Sequence, residues 1–218
     1  MQGSGSGPEF EMSISPGGSI TMSEKDNSIH FNSNINPRTI SELIEKLHEL
    51  ESSILRQKKK LKRKLSDFLD NKKNEEFADA FEVEIEAKPI TLYITSNGGH
   101  VYQAFSAIDT IRRLKVPVNT VCKGFVASAG TLLSLSGKKR SITENSYMLI
   151  HELRSGVWGK YSQMAEDMKN SKALMKHIRD YYVKNTKMTA EELDEQLKHD
   201  VCWNAEKCLE KGLVDEII

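Results

Sequence analysis

The chain has 218 residues and carries 31 Lys and Arg against 31 Asp and Glu, which gives a formal net charge of zero. This balance excludes the uniformly basic surface that is typical of a dedicated nucleic-acid binder. No run reaches the roughly 20 apolar residues of a membrane-spanning helix. We therefore expect neither nucleic acid nor a membrane as partner, and the length favours one domain with an extension.

The cysteine content is low and predicts a reducing, cytoplasmic compartment. Cys122, Cys202 and Cys208 form neither a disulfide framework nor a Cys-x-x-Cys pair. We interpret all three as small buried apolar side chains. His199 is close to Cys202 in sequence, but the spacing matches no common zinc site. No metal and no cofactor are predicted.

The first residues predict little ordered structure. Residues 1–11 read as a cloning tag and linker, and residues 12–27 carry few large apolar side chains. We expect residues 12–27 to form a flexible segment and order to begin with a strand at Ile29–Asn32. A single domain is expected over residues 28–218.

A long helix is predicted next. Asn36 is a favourable N-cap and Pro37 a favourable first helical residue. Apolar residues recur at helical spacing over Ile40–Ile54 and predict one buried stripe. The stripe then gives way to Arg56–Lys64, which has seven basic residues in nine. We interpret residues 52–80 as a charged, solvated helical insertion, with a docking patch for an acidic partner as the alternative.

Strands and helices alternate in the remainder of the chain. This alternation predicts an α/β fold with a mostly parallel, buried sheet. The predicted elements are strands at Ile90–Thr95, Val116–Cys122 and Tyr147–His151, a helix at Val101–Leu114 and a long helix at 160–184. Thr189 and Glu192 have the spacing of a capping box that opens a further helix.

Two glycine-bearing turns follow neighbouring predicted strands, at Ser96–Gly99 and at Gly124–Gly130. Sites in open α/β sheets assemble at the carboxyl ends of strands. Ser128 lies at the predicted strand-to-helix turn, and backbone N–H groups from the two turns could form an oxyanion hole. Small residues at such a turn also serve tight packing, so this pattern alone is weak evidence for a nucleophile.

A serine hydroxyl needs a general base, and His151 closes a neighbouring predicted strand. Asp200 follows the helix that Thr189 opens and is a candidate to orient the imidazole. In isolation, His151 also fits a buried structural histidine and Asp200 an ordinary loop acid. Sequence spacing nominates these residues without establishing that they meet.

Four segments together resemble the proteolytic subunit of the Clp protease, a self-compartmentalising serine peptidase. They are LYITSNGG (92–99), GFVASAGTLL (124–133), SYMLIH (146–151) and NAEKCLEKGLVDEII (204–218). The resemblance implies the Clp peptidase (ClpP)/crotonase-like α/β fold, with repeated ββα units and a protruding handle helix at residues 160–184.

The same resemblance implies roles for individual residues. Ser128 is the nucleophile, His151 the general base and Asp200 the acid that orients the imidazole. The oxyanion and substrate-binding groups implied are the backbone N–H groups of Gly99 and Ala129, together with Val101 and Arg154. The expected reaction is hydrolysis of peptide bonds through an acyl-enzyme.

The resemblance also implies partners. We expect polypeptide substrates, a homo-oligomer of two stacked heptameric rings, and an ATP-driven (AAA+) unfoldase, since the chain has no Gly-x-x-x-x-Gly-Lys-Ser/Thr loop of its own. Polar residues stand at usually apolar positions of the unfoldase pocket, where Tyr93 is retained; they are Thr91, Arg113 and Lys123. Docking is therefore expected to be atypical.

Two other functions remain open from the sequence. A crotonase-like acyl-CoA enzyme would share the fold and the glycine-turn oxyanion hole but would need no Ser-His-Asp set. A non-catalytic Clp-like scaffold would fit the altered docking pocket. Fluorophosphonate labelling of Ser128 separates both from a peptidase.

Overall fold

The computed structural model describes residues 18–71 and 87–218. The predicted tag, the first part of the predicted flexible segment and residues 72–80 of the predicted insertion lie outside the described residues. Within them, no helix is both long and apolar enough to cross a membrane.

One mixed sheet organises the described residues. Its eight strands are β1 (Ser19–Ser23), β2 (Ser28–Asn32), β3 (Ile90–Ser96), β4 (Val118–Ala127), β5 (Arg140–Ile142), β6 (Tyr147–Leu149), β7 (Cys202–Asn204) and β8 (Glu216–Ile217). Six helices occur in the same part of the chain, and they are α1 (Pro37–Asn71), α2 (Val101–Arg113), α3 (Ala129–Ser134), α4 (Tyr161–Asn185), α5 (Ala190–Leu197) and α6 (Ala205–Glu210).

The sheet has the spatial order β1-β2-β3-β4-β5-β8, with β6 paired to β4 and β7 paired to β6. All pairings are parallel except β1 with β2 and β6 with β7. The predicted α/β fold with a mostly parallel sheet is confirmed. Strand β4 pairs with β5 through Thr120–Cys122 and with β6 through Phe125–Ala127, so the sheet branches along β4.

Helix α1 begins as its sequence predicts. The Thr39 N–H donates to Asn36 Oδ1 at 3.0 Å, and Pro37 is the first helical residue. The apolar stripe of Ile40–Ile54 is buried in the core. Beyond it the helix continues to Asn71, so the described part of the charged insertion prolongs α1, and the side chains of residues 55–68 are mostly exposed.

Order begins earlier than predicted, because β1 precedes the expected first strand. Strand β1 forms an antiparallel hairpin with β2, in which Ile20 pairs with Phe31 and is buried. Asn27 supports the connecting turn with φ 49°. The sequence did not predict this strand, because its residues are mostly polar. The strand is stabilised by backbone pairing with β2, and Ile20 is its only large apolar side chain that is buried.

Several other boundaries differ from those predicted. Strand β4 runs through Gly124 to Ala127, although the sequence suggested an end at Cys122, and β6 ends at Leu149, before His151. Strands β5, β7 and β8 were not predicted, since segments of two or three residues show no periodicity. Cys202 is exposed, whereas the sequence suggested a buried thiol.

Helix α4 confirms the predicted long helix at 160–184. Its first half is exposed at Tyr161, Met164 and Met168, while Tyr181 and Tyr182 in its last turns are buried. The helix therefore packs on the core by its C-terminal half only.

Candidate active site

Ser128 lies at the junction of β4 and α3, as the sequence suggests. Its N–H donates to the Leu149 carbonyl at 2.8 Å, which continues the β4–β6 pairing by one residue. The backbone has φ 53° and ψ −126°, a conformation that non-glycine residues seldom adopt. Serine usually caps the helix that it precedes, but the Ser128 side chain makes no cap hydrogen bond to α3. The hydroxyl is therefore not used to hold the helix end.

The glycine turn after β3 packs directly against Ser128. A Cβ at Gly98 would lie 2.6 Å from Ser128 Cβ and 3.0 Å from the Ala129 nitrogen. Gly98 and Gly99 both have positive φ, at 91° and 138°. The close approach and the backbone conformation together require glycine at residue 98.

The backbone N–H groups predicted for the oxyanion hole come from this same region. Gly99 forms a parallel bridge with Ile35, through the hydrogen bonds Ile35 N–H to Gly98 carbonyl and His100 N–H to Ile35 carbonyl. The donors in this bridge are the N–H groups of Ile35 and His100, so the bridge does not occupy the N–H of Gly99. Ala129 is the first residue of α3, so its N–H has no partner within the helix.

The β6–β7 pairing brings His151 and Asp200 together. Leu149 is paired with Cys202 in antiparallel register, and extending that register past both strands sets His151 opposite Asp200. The side chains meet, with His151 Nδ1 3.3 Å from Asp200 Oδ1. The register of two short strands thus explains how residues far apart in sequence become neighbours.

His151 is the more enclosed member of this pair. Its side chain is 12% exposed, against 51% for Asp200. Burial lowers the pKa of His151 below its ordinary value, while the charge of Asp200 raises it, that of Arg154 lowers it and that of Glu152 raises it. Nδ1 is buried and makes no hydrogen bond within the described residues, so the contact with Asp200 has the distance of a hydrogen bond without its direction.

Ser128 directly follows β4, and His151 lies two residues after the neighbouring strand β6, in which Leu149 is paired with Ala127. Neighbouring strands are about 5 Å apart. Among the described residues, no hydrogen bond joins the Ser128 hydroxyl to His151; the Ser128 backbone binds Leu149 and Thr131 instead. Catalytic hydrogen bonds are often long in unliganded enzymes and tighten when substrate is bound.

Val101 and Arg154 are the other predicted substrate-binding residues. In sequence, Val101 precedes Ser128 and Arg154 follows His151. Val101 begins α2 immediately after the glycine turn and is half-buried. Arg154 is in the irregular segment after β6, and its guanidinium contacts Asp200 Oδ2. No sequence pattern predicts this ion pair, because the two residues are 46 positions apart and neither belongs to a periodic segment.

Two comparisons with known proteins identify relatives of this chain. A family model described as Clp protease matches residues 70–218. The chain is 33% identical over 131 residues to the ATP-dependent Clp protease proteolytic subunit of Deinococcus radiodurans. That alignment covers 59% of this chain and 64% of the relative, so the chain spans slightly less than two thirds of the curated relative's length.

Proposed function

The chain belongs to the Clp protease family, and we propose that it is a serine endopeptidase, the proteolytic subunit of a self-compartmentalising Clp-type protease. Ser128 is the nucleophile, His151 the general base and Asp200 the acid that orients the imidazole. The observation that carries this proposal is the 3.3 Å contact of His151 with Asp200 at the strand end adjacent to Ser128.

The chemistry of the proposal is acyl transfer. Ser128 Oγ attacks a peptide carbonyl while His151 accepts the hydroxyl proton and passes it to the leaving amine. Water then attacks the acyl-enzyme, with His151 again as base. Asp200 stabilises the imidazolium that forms in both steps.

The lowered pKa of His151 suits this role. A general base must be neutral to accept a proton, and burial keeps more of the imidazole in that form near neutral pH. Asp200 opposes the effect of burial and stabilises the cation once it has formed. Both influences are needed for a base that accepts a proton and then returns it.

The developing oxyanion would accept hydrogen bonds from the backbone N–H groups of Gly99 and Ala129. This role is supported by the packing of Gly98 on Ser128 and Ala129 and by the Ile35 bridge, which does not occupy the Gly99 N–H. Loss of one such donor typically costs on the order of 100- to 1,000-fold in rate. The substrate peptide would lie between residues 99–101 and 154–159.

We also propose two stacked heptameric rings and an AAA+ unfoldase whose docking is atypical. The atypical docking is supported by side chains from three adjacent strands. The His30 ring on β2 stacks on the Tyr93 ring on β3 with their centroids 4.6 Å apart, and Lys123 Nζ on β4 lies 5.4 Å from the centroid of the Tyr93 ring. A cation and an imidazole beside Tyr93 disfavour an apolar docking loop. Ordinary affinity for a hydrophobic loop peptide, measured by fluorescence anisotropy, would contradict this part of the proposal.

The proposed activity is tested by fluorophosphonate labelling of the assembled protein, followed by intact mass and peptide mapping. We expect one label per chain, at Ser128, and none in Ser128→Ala, whose oligomer size should be unchanged. An assembled but unlabelled particle would instead support a scaffold. Turnover of acyl-CoA thioesters by an unlabelled protein would support the crotonase-like alternative.

A further inference from the structure

Asp200 divides its carboxylate between two cationic or basic partners. Oδ2 is in contact with the guanidinium of Arg154, whereas Oδ1 is 3.3 Å from His151 Nδ1. Within the described residues, no third basic group lies within ion-pair distance of this carboxylate. Any movement of Asp200 toward one partner therefore weakens its interaction with the other.

Of its two partners, the Asp200 carboxylate binds Arg154 more directly than His151. The Arg154 contact meets the geometry of a hydrogen bond, while His151 Nδ1 is buried and makes none. A charge-assisted pair with a guanidinium is stronger than a bond to a neutral imidazole. The carboxylate is consequently directed at the arginine and only approaches the histidine.

The Arg154–Asp200 pair is also easy to break. The Arg154 side chain is 72% exposed and Asp200 51% exposed, and Arg154 lies outside regular secondary structure. Exposed ion pairs contribute little to the stability of the fold. The pair can therefore alternate between closed and open without disturbing the fold.

From these contacts we propose that Arg154 is a positioning residue, which competes with His151 for Asp200 and restrains the proposed base until the ion pair opens. The inference rests on the proposed function, because it concerns the base of the same site. It gives Arg154 a role that differs from direct contact with substrate.

Among the described residues, three charged side chains affect the pKa of His151. They are Asp200 from the loop before β7, and Arg154 and Glu152 from its own segment. Asp200 and Glu152 raise the pKa of His151, and Arg154 lowers it. Removing the Arg154 charge ends a repulsion and frees Asp200, and both changes raise the pKa of His151.

The variants are Arg154→Gln, which removes the charge, and Arg154→Lys, which keeps it. Arg179→Gln is the matched control, because it breaks an exposed arginine–aspartate pair of the same kind, with Asp194, outside the site. His151 is titrated by NMR in the full assembled protein with ¹³C-labelled histidine, and its signal is assigned by its loss in His151→Gln.

We expect Arg154→Gln to raise the pKa of His151, because the repelling charge is removed and Asp200 is freed. The rate constant for fluorophosphonate labelling at pH 8 should rise several-fold, since a freed Asp200 makes the imidazole a stronger base. Arg154→Lys should keep most of the wild-type behaviour, and Arg179→Gln should change neither quantity. An unchanged or lower pKa of His151, or slower labelling in Arg154→Gln, would overturn the proposal.

A second background tests whether Arg154 acts through Asp200. In Asp200→Asn, Arg154→Gln should raise the pKa of His151 by less than half as much as in the wild type. An undiminished shift there would mean direct repulsion and would overturn competition. Failure of the proposed function is distinguishable, because an absence of labelling at Ser128 at every pH refutes the peptidase while the NMR titration still decides the role of Arg154.

Discussion

Ser128 is held in a backbone conformation that costs on the order of 1–3 kcal/mol for a residue with a side chain. Hydrogen bonds from the backbone of Ser128 offset this conformational cost. Its N–H donates to the Leu149 carbonyl, and its carbonyl accepts from the N–H and the hydroxyl of Thr131. The turn directs Ser128 out of the strand and leaves its hydroxyl outside the helix cap. Strain at this residue is therefore consistent with a functional position.

We expect Ser128→Gly to unfold with a free energy about 1 kcal/mol higher than Ser128→Ala, because glycine adopts positive φ without steric cost. Both variants lack the hydroxyl and differ only in the Cβ, which makes Ser128→Ala the matched control. Urea denaturation at one protein concentration measures the difference. Equal stability of the two variants would show that residue 128 is not strained.

At the scale of elements, helix α4 supports the turn that carries Ser128. The buried Tyr182 hydroxyl lies 2.5 Å from Thr131 Oγ1, which in turn donates to the Ser128 carbonyl at 2.6 Å. Tyr181 on the same helix donates to the Leu132 carbonyl at a longer 3.4 Å. The C-terminal half of α4 thus fixes α3, while its N-terminal half is exposed.

Tyr182→Phe should lower the free energy of unfolding by about 1 kcal/mol, because it removes one buried hydrogen bond without changing the ring. It should also slow fluorophosphonate labelling, since Thr131 would hold the Ser128 carbonyl less firmly. Tyr181→Phe is the control and should have a smaller effect on labelling. Denaturation and labelling rates give both quantities, and equal effects of the two variants on labelling would argue against support through Thr131.

Elements set by local chemistry were predictable from the sequence. The N-cap at Asn36 is confirmed, and so is the capping box, in which the Glu192 N–H donates to Thr189 Oγ1 and the Thr189 N–H to the Glu192 carboxylate. Both depend on residues three positions apart. The apolar stripe of α1 was predictable for the same reason, because helical spacing is a local signal.

Elements that depend on distant pairing were not predictable in the same way. Strand β1 is stabilised by β2, and β7 by β6, although neither has a marked apolar alternation. The sequence predicted that the strand ends at Cys122, before Gly124, but β4 continues through Gly124 to pair with β6. The ion pair of Arg154 with Asp200 likewise needs the folded arrangement of two loops.

At the scale of the whole molecule, the branching of β4 builds the candidate site. Its N-terminal part pairs with β5 and its C-terminal part with β6, and β6 then carries β7 in antiparallel register. Ser128 therefore follows one strand, His151 its neighbour, and Asp200 precedes the next. Their positions near strand ends and the family resemblance nominated these residues, and the strand registers give the physical reason why His151 meets Asp200 beside the strand that Ser128 follows.

We propose that Ser128, His151 and Asp200 act as one catalytic unit. The most direct test is the rate constant for fluorophosphonate labelling at Ser128 in the wild type, His151→Gln, Asp200→Asn and the double variant. If Asp200 acts through His151, the double variant reacts no more slowly than His151→Gln alone. Losses that multiply, so that the double variant is slower than His151→Gln by the full Asp200→Asn factor, would contradict the account.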